Sequence, residues 1–290
     1  GFDHNILLAM YVLAFFGFGV KAAVFPVQKW LPAASVAPTP VTALLHAVAV
    51  VKSGAFAIIR LTYYCYGADF LKGTWAHYLV LIFVMFTILY GSTMAVKEIH
   101  FKKRLAYSTI SNVSYILLGA VMMNPAGLVA AFTHLVFHAF MKICSFFAAG
   151  AVMHRADRNY VYELDGLGLR MPVTFACFTA SALSLMGVPP FAGFISKWNI
   201  VQAALDTGGW SGVCAVAVLL YSALMTAIYM LTVVVRAYIP RKDADLSAND
   251  RVSDPSWKML VPLIVFVIVF TGMGIYSQPL IGFFNGIAGG

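Results

Sequence analysis

Leu185-Met-Gly187-Val-Pro189-Pro190-Phe-Ala-Gly193-Phe-Ile-Ser-Lys197-Trp198 stands inside an apolar run that extends from about residue 172 to 204. A tandem proline removes backbone donors and cannot continue an α-helix, so this run reads as a helix broken near its middle. Carbonyls opened by such a break are tolerated in hydrocarbon only where protein or water satisfies them. The first apolar run carries a second stretch of the same kind, Gly17-Phe-Gly19-Val-Lys21-Ala-Ala-Val-Phe-Pro26-Val-Gln-Lys-Trp-Leu-Pro32. Two Pro/Gly-broken segments in separate halves, each with a lysine close by, point to an internally repeated transporter with its path at the membrane midplane. The alternative is two unrelated kinks.

The composition agrees with a membrane setting. Of 290 residues, 61% are hydrophobic and only 10% charged, with a mean hydropathy of +0.86, whereas a soluble domain carries about a quarter charged residues. The class is all-α, a polytopic transmembrane helix bundle. Apolar runs lie at about 5–31, 38–66, 76–96, 105–123, 126–153, 172–204, 211–238 and 257–277, which gives about eight spans. With an even number of spans both termini share one side, called A here, and the loops after odd-numbered spans lie on side B.

The net charge of +8 comes from 19 Lys and Arg against 11 Asp and Glu. Side B collects Lys29, Lys97, Lys102, Lys103, Arg104, Arg155, Arg158, Arg170, Arg236, Arg241, Lys242, Arg251 and Lys258, while side A has Arg60 and Lys72. This asymmetry places side B in the cytoplasm and both termini outside. It also explains the basic excess without nucleic acid. The stretch Lys97-Glu-Ile-His-Phe-Lys-Lys-Arg104 reads as a topology anchor, with lipid headgroup recognition as the alternative.

Four cations remain, and each falls inside a span: Lys21, Lys52, Lys142 and Lys197. A central lysine costs about 2.5–3.5 kcal/mol on insertion scales, so four facing lipid cost on the order of 10–14 kcal/mol. That matches the whole stability of a typical domain, about 5–15 kcal/mol. They are therefore expected to face protein or a hydrated cavity. The 11 acids, among them Asp243 and Asp245, all map to loops, termini or span edges. The four lysines thus either titrate or find their counter-charges on other helices.

The fifth span reads His134-Leu-Val-Phe-His138-Ala-Phe-Met-Lys142. The i, i+4, i+8 spacing puts all three ionisable groups on one helix face, about 6 Å apart along the axis. Two imidazoles and an amine in an apolar helix suit a proton relay. A metal pair, a haem ligated by His46 with His134 or His138, and satisfied core histidines are the competing readings. His46 and Lys52 on the second span are six residues apart, so they do not share a face and serve different neighbours. Cys65, Cys144, Cys177 and Cys214 are scattered without a CxxC pair and read as packing residues. Residues 239–256 read as a cytoplasmic loop, and the residues from Gln278 as a short apolar tail. Gly1 in first position, with no basic n-region, reads as a fragment or processed piece with no visible signal peptide.

Four stretches together resemble one family. They are Lys21…Phe25-Pro26…Trp30-Leu-Pro-Ala33…Ala37-Pro-Thr-Pro40-Val-Thr-Ala-Leu-Leu-His46, Lys103-Arg-Leu-Ala-Tyr107-Ser-Thr-Ile-Ser111, the His134/His138/Lys142 helix, and Gly187-Val-Pro-Pro-Phe-Ala-Gly-Phe-Ile-Ser-Lys197. The chain resembles the antiporter-like subunits shared by respiratory complex I, Mrp-type cation/proton antiporters and complex I-related membrane-bound hydrogenases. The resemblance implies the C-terminal part of an inverted-repeat fold: residues 1–66 close a first repeat, 76–238 form a second, and 257–290 hold a terminal helix and tail.

The resemblance also implies a proton pathway. Lys21 would be the pumping lysine of one broken helix, Lys52, His134, His138 and Lys142 the central hydrophilic axis, and Lys197 the terminal residue of the other broken helix. His46, and lysine rather than glutamate at 197, match the larger L-type or A-type subunits. In the family the acidic partner of the Lys21 equivalent lies on an earlier helix, outside this sequence; His100, with Glu98 nearby, stands where many members have an acid; and no counterpart of the long lateral L-type helix follows the eighth span. The implied function is a proton-translocating subunit of a redox-driven pump of NADH-quinone oxidoreductase or hydrogenase type, with an Mrp-type sodium/proton antiporter subunit as the alternative. No catalytic centre, cofactor or metal is expected in this chain. The expected partners are other membrane subunits, including helices supplying the acidic partner of Lys21, and lipid, in the cell inner membrane.

Overall fold

The computed structural model describes residues 3–241 and 246–289. Lys242, Asp243 and Asp245, counted above among the loop charges, lie outside the described residues. Among those described, the backbone is helical apart from turns, loops and one isolated antiparallel bridge, His100 to Tyr160.

The first run becomes α1 (His4–Lys21), opened by the Asp3 carboxylate, which accepts the Asn5 N–H at 3.0 Å. It stops at Ala22, with Ala23 at φ 58° and a cis Phe25–Pro26 bond following, before α2 (Trp30–Ala34). The second run forms α3 (Thr39–Ala47), α4 (Val50–Arg60) and a π-helical turn, Leu61–Tyr66. Next come α5 (Ala68–Leu71), α6 (Trp75–Lys97), α7 (Phe101–Val121) and α8 (Pro125–Ala156). After α9 (Leu167–Arg170), the sixth run splits into α10 (Pro172–Met186) and α11 (Ala192–Thr207), with Gly187 at φ 93° and a cis Pro189–Pro190 bond between them. The chain continues through α12 (Gly209–Tyr238), α13 (Trp257–Ile275) and α14 (Gln278–Ala288).

Each apolar run thus corresponds to a helix or a broken helix, at the places the prolines marked. Six segments are long and apolar enough to cross a membrane by length and composition alone. The sixth run falls short because its break leaves halves of 15 and 16 residues. The fourth falls short because α7 is polar, with Lys102, Lys103, Arg104, Ser108, Ser111, Asn112 and Ser114 along it. Its polarity is hidden from lipid: every residue of α7 except Lys103 and Tyr107 is buried.

Two features were not anticipated, and the first carries no Pro or Gly signal. The second run is interrupted at Val48–Ala49, where the N–H groups of both residues converge on the Leu44 carbonyl. The segment read as an apolar tail folds as α14 and packs on α8, with Phe284 stacked on Phe132 at 5.4 Å.

The two ends of the bundle sort as the odd–even layout requires. At one end Val161 N–H donates to the Ile99 carbonyl, Arg155 reaches Ser253, Arg236 and Arg241 pair with Asp165, and Lys102 donates to the Ala37 carbonyl. These residues all belong to side B. At the other end Tyr63 donates to the Asn124 carbonyl, Asn124 to Ala203 and Thr207, and the Trp75 indole reaches Asn5. Within the supposed anchor 97–104, Lys97 is exposed but Arg104 is buried and clamps the Glu98 and Tyr229 carbonyls at 2.8 and 3.1 Å. Arg104 therefore ties α7 to α12.

Helix α8 lies at the centre, against α3, α7, α10, α11, α13 and α14. Its 32 residues span about 48 Å at 1.5 Å rise, more than the hydrocarbon thickness, so it must tilt or project. The halves of the broken helix meet at Gly193, where a Cβ would stand 1.7 Å from the Ser184 carbonyl oxygen. Only glycine permits that approach.

Candidate functional site: a buried row of lysines and histidines

His134, His138 and Lys142 are fully buried along α8, and the neighbouring helices hold them unequally. His134 Nδ1 lies 2.9 Å from Ser196 Oγ on α11. The His134 and His138 rings stack at 5.8 Å, and His138 has no protein partner at either nitrogen. Lys142 Nζ donates to Ser108 Oγ at 2.7 Å and to the Leu105 carbonyl at 3.1 Å, both on α7.

Lys52, on α4, donates to the Leu135 carbonyl of α8 at 2.6 Å. It thereby joins the row beside His134. His46 takes a different neighbour, as its spacing required: its ring stacks on Phe146 at 4.9 Å, and Nε2 is 3.1 Å from Ser35 Oγ. Phe146 also lies 5.9 Å below Lys142 Nζ, so His46 borders the row across one ring.

The break in the sixth run explains the lysine beside it. Helix α10 ends at Met186, and Lys197 Nζ turns back to the Leu185 and Met186 carbonyls. These are terminal carbonyls at the negative end of a helix dipole, where a cation is favoured. The Tyr115 ring lies 5.2 Å from the same amine. A hydrogen bond from a charged group contributes about 1.5–3 kcal/mol, and a central lysine costs about 2.5–3.5 kcal/mol. Two such contacts, as Lys142 and Lys197 have, offset that cost without a carboxylate. Among the described residues the ion pairs are Arg170–Asp250, Arg236–Asp165 and Arg241–Asp165, all at the side B end.

Lys21 stands apart from the other three lysines. It is exposed at the end of α1 and has no polar partner among the described residues. The backbone explains the placement: α1 meets α4 at Gly54, where a Cβ would come within 2.6 Å of the Ala22 nitrogen. That contact fixes the helix end, while Ile6, Met10, Leu13 and Phe18 on the other face of α1 stay exposed.

The profile of the family described as "NADH:quinone oxidoreductase/Mrp antiporter, TM" matches residues 1–226. The chain belongs to that family. Among curated members of the NADH:quinone oxidoreductase/Mrp antiporter family, subunit N of NADH-quinone oxidoreductase from Desulforudis audaxviator is 34% identical over 96% of this chain and 57% of its own length. Subunit L from Mycobacterium tuberculosis is 37% identical over 82% of this chain and 37% of its own length. A solved Mrp complex from Dietzia contains a chain that superposes with a TM-score of 0.84 at 26% identity, covering 96% of this chain and 58% of that one. The chain therefore spans about 37–58% of the length of these relatives.

In this family member the sequence reading missed the hydroxyls around the row. Ser108, Ser196, Tyr115, Ser222, Thr226 and Tyr229 are all fully buried: Ser108 and Ser196 bond Lys142 and His134 directly, while Tyr229 bonds Ser108 and Thr226, and Tyr115 bonds Ser222. A signal existed: Ser108 and Tyr115 are seven apart on α7, as are Ser222 and Tyr229 on α12. Seven residues are close to two turns, which puts each pair on one face.

Proposed function

We propose that this chain is part of a proton-translocating membrane subunit in a complex I-like, redox-driven pump. The observation that carries the reading is the row itself. Lys52, His134, His138 and Lys142 are buried between α4, α7, α8 and α11, with Lys197 at its end, and carbonyls and hydroxyls hold them where an ion-pair site would use acids. Unpaired lysines repel one another's charge, so gain of a proton at one lowers the proton affinity of the next. Protons hop between Lys21, Lys52, the His134/His138/Lys142 row and Lys197 through water, and no redox chemistry occurs in this chain.

Lys21 completes the path on this reading through an acidic side chain on a helix of the same complex, which covers the exposed face of α1. The division at residues 1–66 and 76–238 into inverted repeats, the plasma-membrane location, the cytoplasmic placement of side B and the outer placement of the termini belong to the same proposal. The likeness to the Dietzia Mrp chain favours a second reading, a sodium/proton antiporter subunit. Purification of the intact complex decides between them: iron–sulfur or hydrogenase-like subunits support the pump, and small membrane subunits alone support the antiporter. Lys142→Ala tests the path itself. An assembled complex with unchanged proton translocation would overturn it.

A further inference from the structure

Helices α7 and α8 run antiparallel along a seam whose register is fixed by three contacts. Lys142 Nζ donates to Ser108 Oγ at 2.7 Å, the Tyr115 and His134 rings stand 5.5 Å apart, and a Cβ on Gly119 would lie 3.1 Å from the Ala131 nitrogen. Each turn gained along α7 is matched by one turn back along α8. Asn112 stands four residues after Ser108, and His138 four before Lys142. At 100° per residue, Ser108, Asn112, Tyr115 and Gly119 fall within about 60° of arc, so Asn112 shares the face that α7 turns to α8. The register therefore sets Asn112 opposite His138, between the Lys142 contact and the His134 contact.

Both residues are fully buried, and both hold polar atoms without a protein partner: Asn112 Oδ1 and the two ring nitrogens of His138. The orientation of the Asn112 amide is settled by its other end. Nδ2 donates to the Ser108 carbonyl at 2.8 Å, and a carbonyl only accepts, so the amide oxygen is the end left over. The titratable groups around His138 are Lys52 of α4, which reaches the Leu135 carbonyl, His134 and Lys142 on α8 itself, Tyr115 of α7 with Lys197 of α11 at the His134 end, and His46 of α3 across the Phe146 ring. Helix α10 adds only Cys177, α13 only Lys258 in its first turn, and α14 none. The one acid on these helices, Asp206, stands in the last turn of α11. At the level of His138 the free acceptor is an amide oxygen.

A neutral imidazole has one N–H, and an imidazolium has two, both of them stronger donors. We propose that Asn112 is the hydrogen-bond acceptor that holds a proton on His138, between Lys142 and His134. When Lys142 gives up its proton it becomes a neutral amine and His138 becomes an imidazolium. One N–H of that ring then donates to Asn112 Oδ1, and the other is left to pass a proton toward His134. Asn112 carries no proton of its own and is a positioning residue that acts through the imidazole. The proposal rests on the proton path above.

The test measures proton translocation against pH in the intact complex, for the parent, Asn112→Leu and Asn112→Asp. An acceptor favours the charged imidazole, so removing it lowers the proton affinity of His138 and a carboxylate in its place raises that affinity. Asn112→Leu is expected to slow translocation about tenfold, the rate equivalent of a hydrogen bond to a charged group, and to move the alkaline limb of the profile about one pH unit toward acid. Asn112→Asp, of the same shape as the parent, is expected to move that limb toward alkaline pH. Both variants lose the Nδ2 bond to Ser108, so a role confined to that bond moves both limbs the same way or neither, and either result overturns the proposal. If Asn112→Leu does not assemble, Asn112→Asp decides by itself, and an unmoved or acid-shifted limb overturns the proposal. If Lys142→Ala abolishes translocation while both Asn112 variants keep the parent limb, the role of Asn112 fails and the proton path stands. If Lys142→Ala has no effect, the path itself fails.

Discussion

At the residue scale, burial and partnership separate side chains that look equivalent in the sequence. Lys142 donates twice to α7 and sits at zero exposure. Lys142→Ala is expected to abolish coupled proton movement while the complex still assembles, read as proton uptake by membrane vesicles alongside subunit content. His138 is the opposite case, with both ring nitrogens unpartnered by protein. A buried polar group without a partner costs about 1–3 kcal/mol. His138→Leu should therefore leave the thermal midpoint in detergent unchanged or higher while translocation falls, and a clear drop in the midpoint would count against this picture of His138. The spacing of His134, His138 and Lys142 was legible because a helical period fixes which residues share a face. The hydroxyls were not, since Ser, Thr and Tyr occur throughout membrane helices and only their partners distinguish them.

At the element scale, the broken helix turns a backbone defect into a cation site. Tandem proline and Gly187 end α10 early, its last carbonyls are left free, and Lys197 from α11 binds them. The geometry depends on how closely the halves approach. Gly193→Val would place a Cβ within 1.7 Å of the Ser184 oxygen, and the added methyls extend beyond it. Such overpacking is expected to destabilise by about 3 kcal/mol or more, seen as a large drop in thermal midpoint or loss of the assembled subunit. The prolines and glycines made this break readable. The discontinuity at Val48–Ala49 was hidden because its sequence is ordinary, and α14 was hidden because an 11-residue amphipathic segment acquires its helix from packing against α8.

At the scale of the whole molecule, loop charge and loop contact agree. The segments around Ile99, Arg155, Asp165, Arg236 and Ser253 meet at one end, and those around Asn5, Tyr63, Trp75 and Asn124 at the other. If the basic end is cytoplasmic, a cysteine at Lys103 should react only with reagents admitted to the cytoplasm, and one at Lys72 only with impermeant reagents added outside. The background must lack Cys65 and Cys214, which are exposed. The reverse pattern would invert the assigned orientation. The surface of α1 reads differently at this scale, because Lys21 and an apolar face are left outside the bundle.

Hydropathy, proline position, the helical period and the count of cations by loop determined the class of fold, the number of runs, the two breaks and which lysines and histidines fall inside apolar helices. Those features follow from covalent and local physics: the length needed to cross a bilayer, the missing proline donor and the helical period. Only the tertiary structure decided which side chain each of them meets. It buried the polar helix α7 beside α8, turned Lys197 onto the carbonyls of α10, left Lys21 on the surface and joined Lys142 to Ser108 of α7, which also receives Tyr229 of α12. Those pairings join separate helices, from Lys197 and Leu185, 12 positions apart, to Ser108 and Tyr229, 121 positions apart, and are set by how whole helices pack.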